Sequence, residues 1–263
     1  MSRYVKHSIF WVLALAFVIS TTAFTFTRRA RQVCNKVEVV IRDSVKNKFV
    51  EKTDIMRILQ LNEEKILGYA MIGINTCVLE ENIKKYPPVK RSEAFILANG
   101  TLCIEVWQRE PIVRIISRDN KSFYLDMEGK ILPLSDKYTS HVLVANGNIS
   151  MEGVKIKNDF SICTDSVKAK NMVLQQVFDL AQYMYQDEFL KNQIMQLFVN
   201  NDKEFELIPR IGNQIIFFGD GENYAYKCKK LKALYLMGFN NLGWNLYSTI
   251  NVKYSNQIIC TKI

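Results

Sequence analysis

The dipeptide Asn99-Gly100 constrains this chain more than any other feature. It sits inside PPVKRSEAFILANGTLCIEVWQREP, from Pro87 to Pro111. Asn-Gly between alternating apolar residues is the strongest short-range signal for a β-hairpin, because a type I′ turn needs positive φ at both central positions. With these two residues as the turn, Phe95, Leu97, Leu102, Ile104 and Val106 share one apolar face. The smaller, more polar Ala94, Ile96, Ala98, Thr101, Cys103 and Glu105 share the other. A lone hairpin is marginal in water and must cover its apolar face.

The residues before it supply that cover. Lys36–Arg42, KVEVVIR, is β-rich. Thr53 or Asp54 can cap a helix carrying Ile55, Ile58 and Leu59. Asn75 can cap a second, with Leu79, Ile83 and Tyr86 on one stripe, and Pro87-Pro88 ends it. The order strand, helix, helix, strand, strand predicts two helices packed on one face of a three-stranded sheet.

Ile9–Phe26 carries no charge over 18 residues. As a helix it spans about 27 Å, close to the hydrocarbon thickness of a bilayer. It is long for the apolar part of a cleaved signal peptide, and no convincing small-residue cleavage site follows, so an uncleaved anchor is expected. Orientation stays open on charge alone. Arg3 and Lys6 flank one side and Arg28, Arg29 and Arg31 the other, and counted literally these would hold the long C-terminal part in the cytoplasm.

Beyond Pro111 the texture turns β-rich. Strands are expected at Ile112–Ser117, Ser122–Asp126, Ile131–Leu134 and His141–Ala145, with a turn at Met127–Lys130. Lys168–Tyr185 reads as a helix with Leu174, Val177, Phe178 and Ala181 inward, and Asp187–Phe198 as a second with Leu190, Ile194 and Leu197. Strands resume at Glu204–Pro209 and Gln214–Phe218. A helix follows over Tyr224–Gly238, with Leu231, Leu234 and Tyr235 inward and Lys227, Lys229, Lys230 and Lys232 mostly outward. The chain closes in a hairpin, Thr249–Tyr254 and Gln257–Lys262, around Ser255-Asn256.

The 263 residues carry a formal charge of +9, with lysines scattered rather than blocked. Nearness to a membrane accounts for the excess, and no nucleic-acid-binding motif is present. Only His7 and His141 are histidines, which excludes His-rich zinc sites and weakens any hydrolase built on a histidine base. The six cysteines have no CxxC spacing. Free thiols are expected, and any pairing is left open. Asp126 and Glu128 stand as a carboxylate pair, but inside DMEG they serve turn geometry and solvation better than acid–base chemistry. Gly219-Asp220-Gly221-Glu222 lacks both the P-loop and the EF-hand pattern and reads as a strand-to-helix turn. Trp107 reads as a packing residue. No catalytic, cofactor or metal site is expected.

Several stretches match one known family in order and spacing. INTCVLEENIKKYPPVKRSEAF runs helix, proline, valine, alanine into the hairpin. NGTLCIEVWQREPIVRI leaves it with Arg109 and Pro111. SFYLDMEGKILPL carries Tyr124, Leu125, Asp126, Gly129, Leu132 and Pro133. INVKYSNQIICTK makes the closing pair. Together these resemble the bacterial cell-division family FtsQ (DivIB), over nearly the whole chain beyond the anchor; residues 148–167 show no such features. The resemblance implies an α+β protein: a cytoplasmic tail at 1–8, a transmembrane helix at 9–27, a small POTRA (βααββ) domain at 36–111, and at 112–263 a mixed β-rich domain with flanking helices. It implies a single-pass inner-membrane protein with its bulk in the periplasm, at the division septum. The implied role is a non-enzymatic divisome assembly protein that links early and late components. It would bind FtsB/FtsL-type coiled-coil partners and help control septal peptidoglycan synthesis. The short tail departs from family members whose longer tails make contacts of their own. The competing classes are a membrane-anchored cell-wall hydrolase and a POTRA-bearing chaperone or translocation component.

By position, the resemblance puts partner contact on the last strand pair and the helix before it: Tyr254, Ile250, Val252, Ile258 and Ile259, with Lys230 and Tyr226 alongside. Physical chemistry points to the same place. A last strand is usually an edge strand with unpaired backbone groups, Ile258-Ile259-Cys260 gives it little charge protection, and an extended partner can add to it as one more strand.

Overall fold

The hairpin forms, with a register one residue away from the expected one. The computed structural model describes residues 3–30, 33–45, 47–59, 67–151, 155–156, 162–163, 173–239, 243–244 and 246–263. Strands β2 (Val89–Ile96) and β3 (Thr101–Gln108) pair Ile96 with Leu102, Phe95 with Cys103 and Ala94 with Ile104. The Gly100 N–H donates to the Leu97 carbonyl and the Leu97 N–H to the Thr101 carbonyl. Gly100 has φ +84°, whereas Asn99 keeps negative φ. This is the three-residue loop of a type I turn followed by a left-handed glycine, not a two-residue type I′ turn. A Cβ at Gly100 would lie 2.9 Å from the Val33 carbonyl.

One residue of slip exchanges the faces of one strand. Ser92, Ala94, Leu102, Ile104 and Val106 are buried, while Phe95 and Leu97 are exposed on the opposite side. The apolar face drawn from the sequence is corrected in those two residues.

The chain divides into two units, Met1–Gln108 and Arg109–Ile263. In the first, helix α1 covers Arg3–Ala30, with side chains described from Phe10 to Thr25. Among the described residues no helix is long and apolar enough to cross a membrane; the uncharged run Ile9–Phe26 extends one residue past that window at each end. Strand β1 (Lys36–Ile41) pairs parallel with β3, giving the order β1-β3-β2. Helix α2 (Lys52–Ile58) is capped by Glu51 in a capping box with Asp54, not by Thr53 or Asp54. Helix α3 (Thr76–Lys84) is capped by Asn75, whose side chain accepts from the Val78 N–H. Ile55 and Ile83 are fully buried beneath these helices. Buried Gln108 ties down the segment after β1. Its side chain donates to the Asn47 carbonyl at 2.7 Å and accepts from the Val50 N–H at 2.8 Å.

The second unit is built on a nine-stranded sheet in the order β14-β13-β12-β11-β10-β7-β4-β5-β6. Its first half supplies β4 (Pro111–Ile116), β5 (Ser122–Asp126), β6 (Ile131–Leu132) and β7 (Leu143–Gly147). A separate pair, β8 (Lys155–Ile156) and β9 (Ile162–Cys163), falls in the stretch where no family feature was read. Helices α4 (Val173–Gln186) and α5 (Glu188–Gln193) precede β10 (Ile194–Val199), β11 (Phe205–Pro209) and β12 (Ile215–Gly219). Helix α6 (Tyr224–Ala233) continues into a π-helical turn, Leu234–Phe239, before β13 (Tyr247–Asn251) and β14 (Ile259–Lys262). The expected helix start at Lys168 lies outside the described residues. One core joins the helices to the sheet, with Leu174, Val177, Leu180, Leu197, Ile216 and Leu231 among its members.

The helix expected over Asp187–Phe198 is half wrong. Asp187 caps α5, which ends at Gln193, and the chain then runs as β10 between β7 and β11. Ile194 and Leu197 satisfy a helical period, but Ile194, Leu197 and Val199 also serve as the inward side of a bulged strand. A short apolar run does not distinguish the two. Gly147 is required where β7 meets β10, since a Cβ there would lie 2.2 Å from the Val199 carbonyl.

Candidate functional site

The C-terminal strand pair is held by core contacts on one side and left open on the other. Ile250 faces Cys260, Asn251 faces Ile259 and Thr249 faces Thr261. Ile250 and Val252 are fully buried in the core that includes Cys228, Leu231 and Tyr235. Burial also pushes the Cys260 thiol pKa up. The assignment of Ile250 and Val252 as partner contacts is therefore corrected: their side chains anchor β13 and reach no surface. Ile258 packs half-buried against the same core. Tyr254, Ile259 and Tyr226 are exposed, at 49%, 44% and 50%. Strand β14 terminates the sheet, with β13 on one side and, among the described residues, no strand on the other.

Lys230 joins these parts. Its ammonium donates to the carbonyls of Val252 (3.2 Å), Tyr254 and Gln257 (3.4 Å), and sits 5.4 Å from the Tyr226 ring centroid. An ammonium has three donors, and all three go to the loop that turns β13 into β14. Burial, then the charge of Lys227, pushes the Lys230 pKa down. Lys230 is thus a staple from α6 to the loop rather than a free cation.

The lysines of α6 do not form an outward basic face either. Lys227 is buried and pairs with Asp220 at 2.6 Å, and Lys232 pairs with Asp187 at 2.6 Å. Burial opposes ionisation of Asp187. The Lys232 bond and the Leu190 and Phe189 N–H groups outweigh it and hold its pKa below the usual carboxylate range.

The carboxylates at the β5–β6 turn also differ from expectation. Asp126 is buried rather than solvated. It takes Arg109 at 2.7 Å on one oxygen and the Glu128 and Lys130 N–H groups on the other, while Glu128 meets Arg109 at 3.0 Å. Every oxygen of Asp126 is occupied by a structural donor. Trp107 is half-buried, with the Arg91 guanidinium 4.9 Å from its ring centroid. Cys34, Cys77, Cys103, Cys228 and Cys260 are free thiols. Among the described residues no group of His, Cys, Asp and Glu is placed to hold a metal.

A family model described as FtsQ/DivIB, C-terminal related, matches residues 110–261, more than half of the chain. The chain belongs to the FtsQ/DivIB family. A model described as a POTRA-like domain matches residues 32–107, so this FtsQ/DivIB protein carries a POTRA-like unit ahead of its C-terminal one. Comparison with individual curated proteins gives no match. The family is one of cell-division proteins, and in this member the strand pair and α6 come together around the Lys230 staple. Sequence reasoning missed that role, as well as the outward position of Thr261 beside Thr249 and Ile215 across the sheet. Strand alternation carries the second signal, but it can be read only once the register is known.

Proposed function

We propose that this FtsQ/DivIB protein is a non-enzymatic divisome scaffold that captures an FtsB/FtsL-type partner by strand addition at β14. The observation that carries this reading is the open edge of β14 at the end of the sheet, beside exposed Tyr254, Ile259 and Tyr226. Strand addition supplies affinity through main-chain hydrogen bonds and specificity through side chains on either face. Tyr254 and Tyr226 are the amphipathic aromatics that often dominate such contacts. Helix α1 anchors the chain in the inner membrane: apolar residues from Phe10 to Phe24 are exposed all round it, and a helix apolar on every side is one buried in protein or lipid. The units beyond it then lie outside the cytoplasm, and the protein gathers at the septum.

The direct test is co-purification of the full chain with its FtsB/FtsL-type partners. Tyr254→Ala together with Ile259→Lys is expected to abolish capture with thermal stability retained. A folded double variant that still captures them would overturn the site. Depletion in the source organism is expected to give filaments with separated nucleoids and no septa, and normal division would overturn the role.

A further inference from the structure

The C-terminal unit holds a second recognition feature away from β14. A cavity of about 270 Å³ opens between the start of β7, helices α4 and α5, and the end of β11. Its floor is apolar: Ile112, Ala181, Met184, Leu190 and Ile194, with Val142 and Met195 as walls. Its mouth carries His141 just before β7, Lys191 on α5 and Arg210 just after β11, and among the described residues no Asp or Glu lines it. None of these three forms an ion pair with a described residue. Lys191 lies 3.7 Å from the Tyr185 ring centroid. The Arg210 backbone N–H is fixed to the Gln193 carbonyl at 2.7 Å. The Tyr185 hydroxyl donates to Glu110 at 2.5 Å outside the cavity. Burial and that bond push its pKa up, so the ring wall stays neutral.

We propose that this cavity docks an acidic segment of a partner protein, seating one large apolar side chain on the floor while flanking carboxylates meet Lys191 and Arg210. Size argues for a side chain. An apolar cavity of about 150 Å³ takes benzene, whereas drug-sized ligands occupy roughly 300–1,000 Å³. Charge argues for the flanks, since a cationic mouth with no acid of its own is complementary to an acidic chain. A buried apolar anchor ringed by polar contacts is the usual composition of an interface hot spot. The inference is independent of the β14 reading, because none of its residues lies on β13, β14 or α6.

The test is fluorescence polarisation of the full chain in neutral-lipid nanodiscs at low salt. The probe is a labelled peptide with one phenylalanine between acidic residues. Binding is expected to fall at least about tenfold in the Lys191→Ala/Arg210→Ala variant and to weaken steeply with salt, as exposed charges are screened. Met195→Trp, at the exposed rim, is expected to block binding without touching the floor. A probe with glycine in place of phenylalanine is expected to lose about tenfold. Tyr254→Ala should leave binding unchanged, which separates this site from β14. Undiminished binding in either cavity variant, no binding of the probe at low salt, or octanoate binding as tightly as the peptide would overturn the proposal, the last in favour of a small anionic amphiphile.

Discussion

Strands β2 and β14 both end their sheets, yet only one is left open. Along β2 lies α3. Its Glu80 carboxylate accepts the Ala94 N–H at 2.8 Å, and its Glu80 carbonyl accepts the Ser92 hydroxyl at 3.0 Å. A helix thus supplies β2 with partners in place of a further strand, one of the usual ways to blunt an edge. Strand β14 packs Cys260 on the core, and no hydrogen bond from a helix side chain to its backbone is formed among the described residues. The nearest helix, α6, reaches the loop before it through Lys230 and stops there. The two edges, eight residues in β2 and four in β14, are therefore treated differently: a neighbouring helix gives β2 a partner, while β14 is shaped by the loop before it and left available.

The largest expected effect comes from removing the open edge. Deletion of Gln257–Ile263 should cut capture of the FtsB/FtsL-type partner at least about a hundredfold, since one strand addition carries several main-chain hydrogen bonds at roughly 0.5–1.5 kcal/mol each. Pull-down with the full chain reads it, and retained capture would end the contrast between the two edges.

Next is Lys230→Met, which frees three carbonyls of the loop before β14. Amide exchange over 252–258 should quicken and partner affinity should fall about tenfold, in line with roughly 1–3 kcal/mol for a charged hydrogen-bonded group. Faster exchange with unchanged affinity would show that the shape of the loop does not matter to the partner.

The closed edge gives a smaller and different response. Glu80→Ala should speed exchange at the Ala94 amide about fivefold, reflecting roughly 1 kcal/mol for one hydrogen bond, and leave partner capture as it was. New partner capture through β2 would mean that closure alone separates the edges.

The smallest effect is a control away from both. Asp187→Ala removes the cap of α5 and the Lys232 pair and should cost about 1 kcal/mol. The depressed pKa of Asp187 stabilises the fold above its ordinary value of 3.8. That contribution is lost as pH falls further, through the lower folded-state value. Acid titration by circular dichroism should show this loss in the parent protein and not in the variant, with capture unchanged at neutral pH.

The elements were more legible than their faces. Asn75 and Pro87-Pro88 bracket α3 through local chemistry that needs no partner. The hairpin announces itself through Asn99-Gly100, but its register depends on whether both residues or Gly100 alone takes positive φ. Packing against α2 and α3 decides that, so Phe95 and Leu97 were placed on the wrong side. Ile194–Val199 was misread because its helical and strand spacings coincide, and pairing with β7 and β11 broke the tie. At the candidate site, Ile259 was legible as a surface residue of the last strand, whereas Tyr254, expected at the end of the strand before it, is exposed in the loop after β13. Ile250 and Val252 were not legible as core, and Lys230 not as a staple, because both depend on α6 sharing a core with β13 and reaching the loop after it.

Sequence alone determined the strand-helix-helix-strand-strand order of the first unit, the uncharged run at the N-terminus, the closing strand pair and the family motifs. These rest on spacing, caps and turn residues within about ten positions of one another. Tertiary structure alone decided that a helix covers the β2 edge, which lysines are spent on pairing, and that His141, Lys191 and Arg210 meet at one apolar cavity. Each is a relation between residues far apart in the chain, set by the packing of helices on a sheet whose strand order does not follow the sequence.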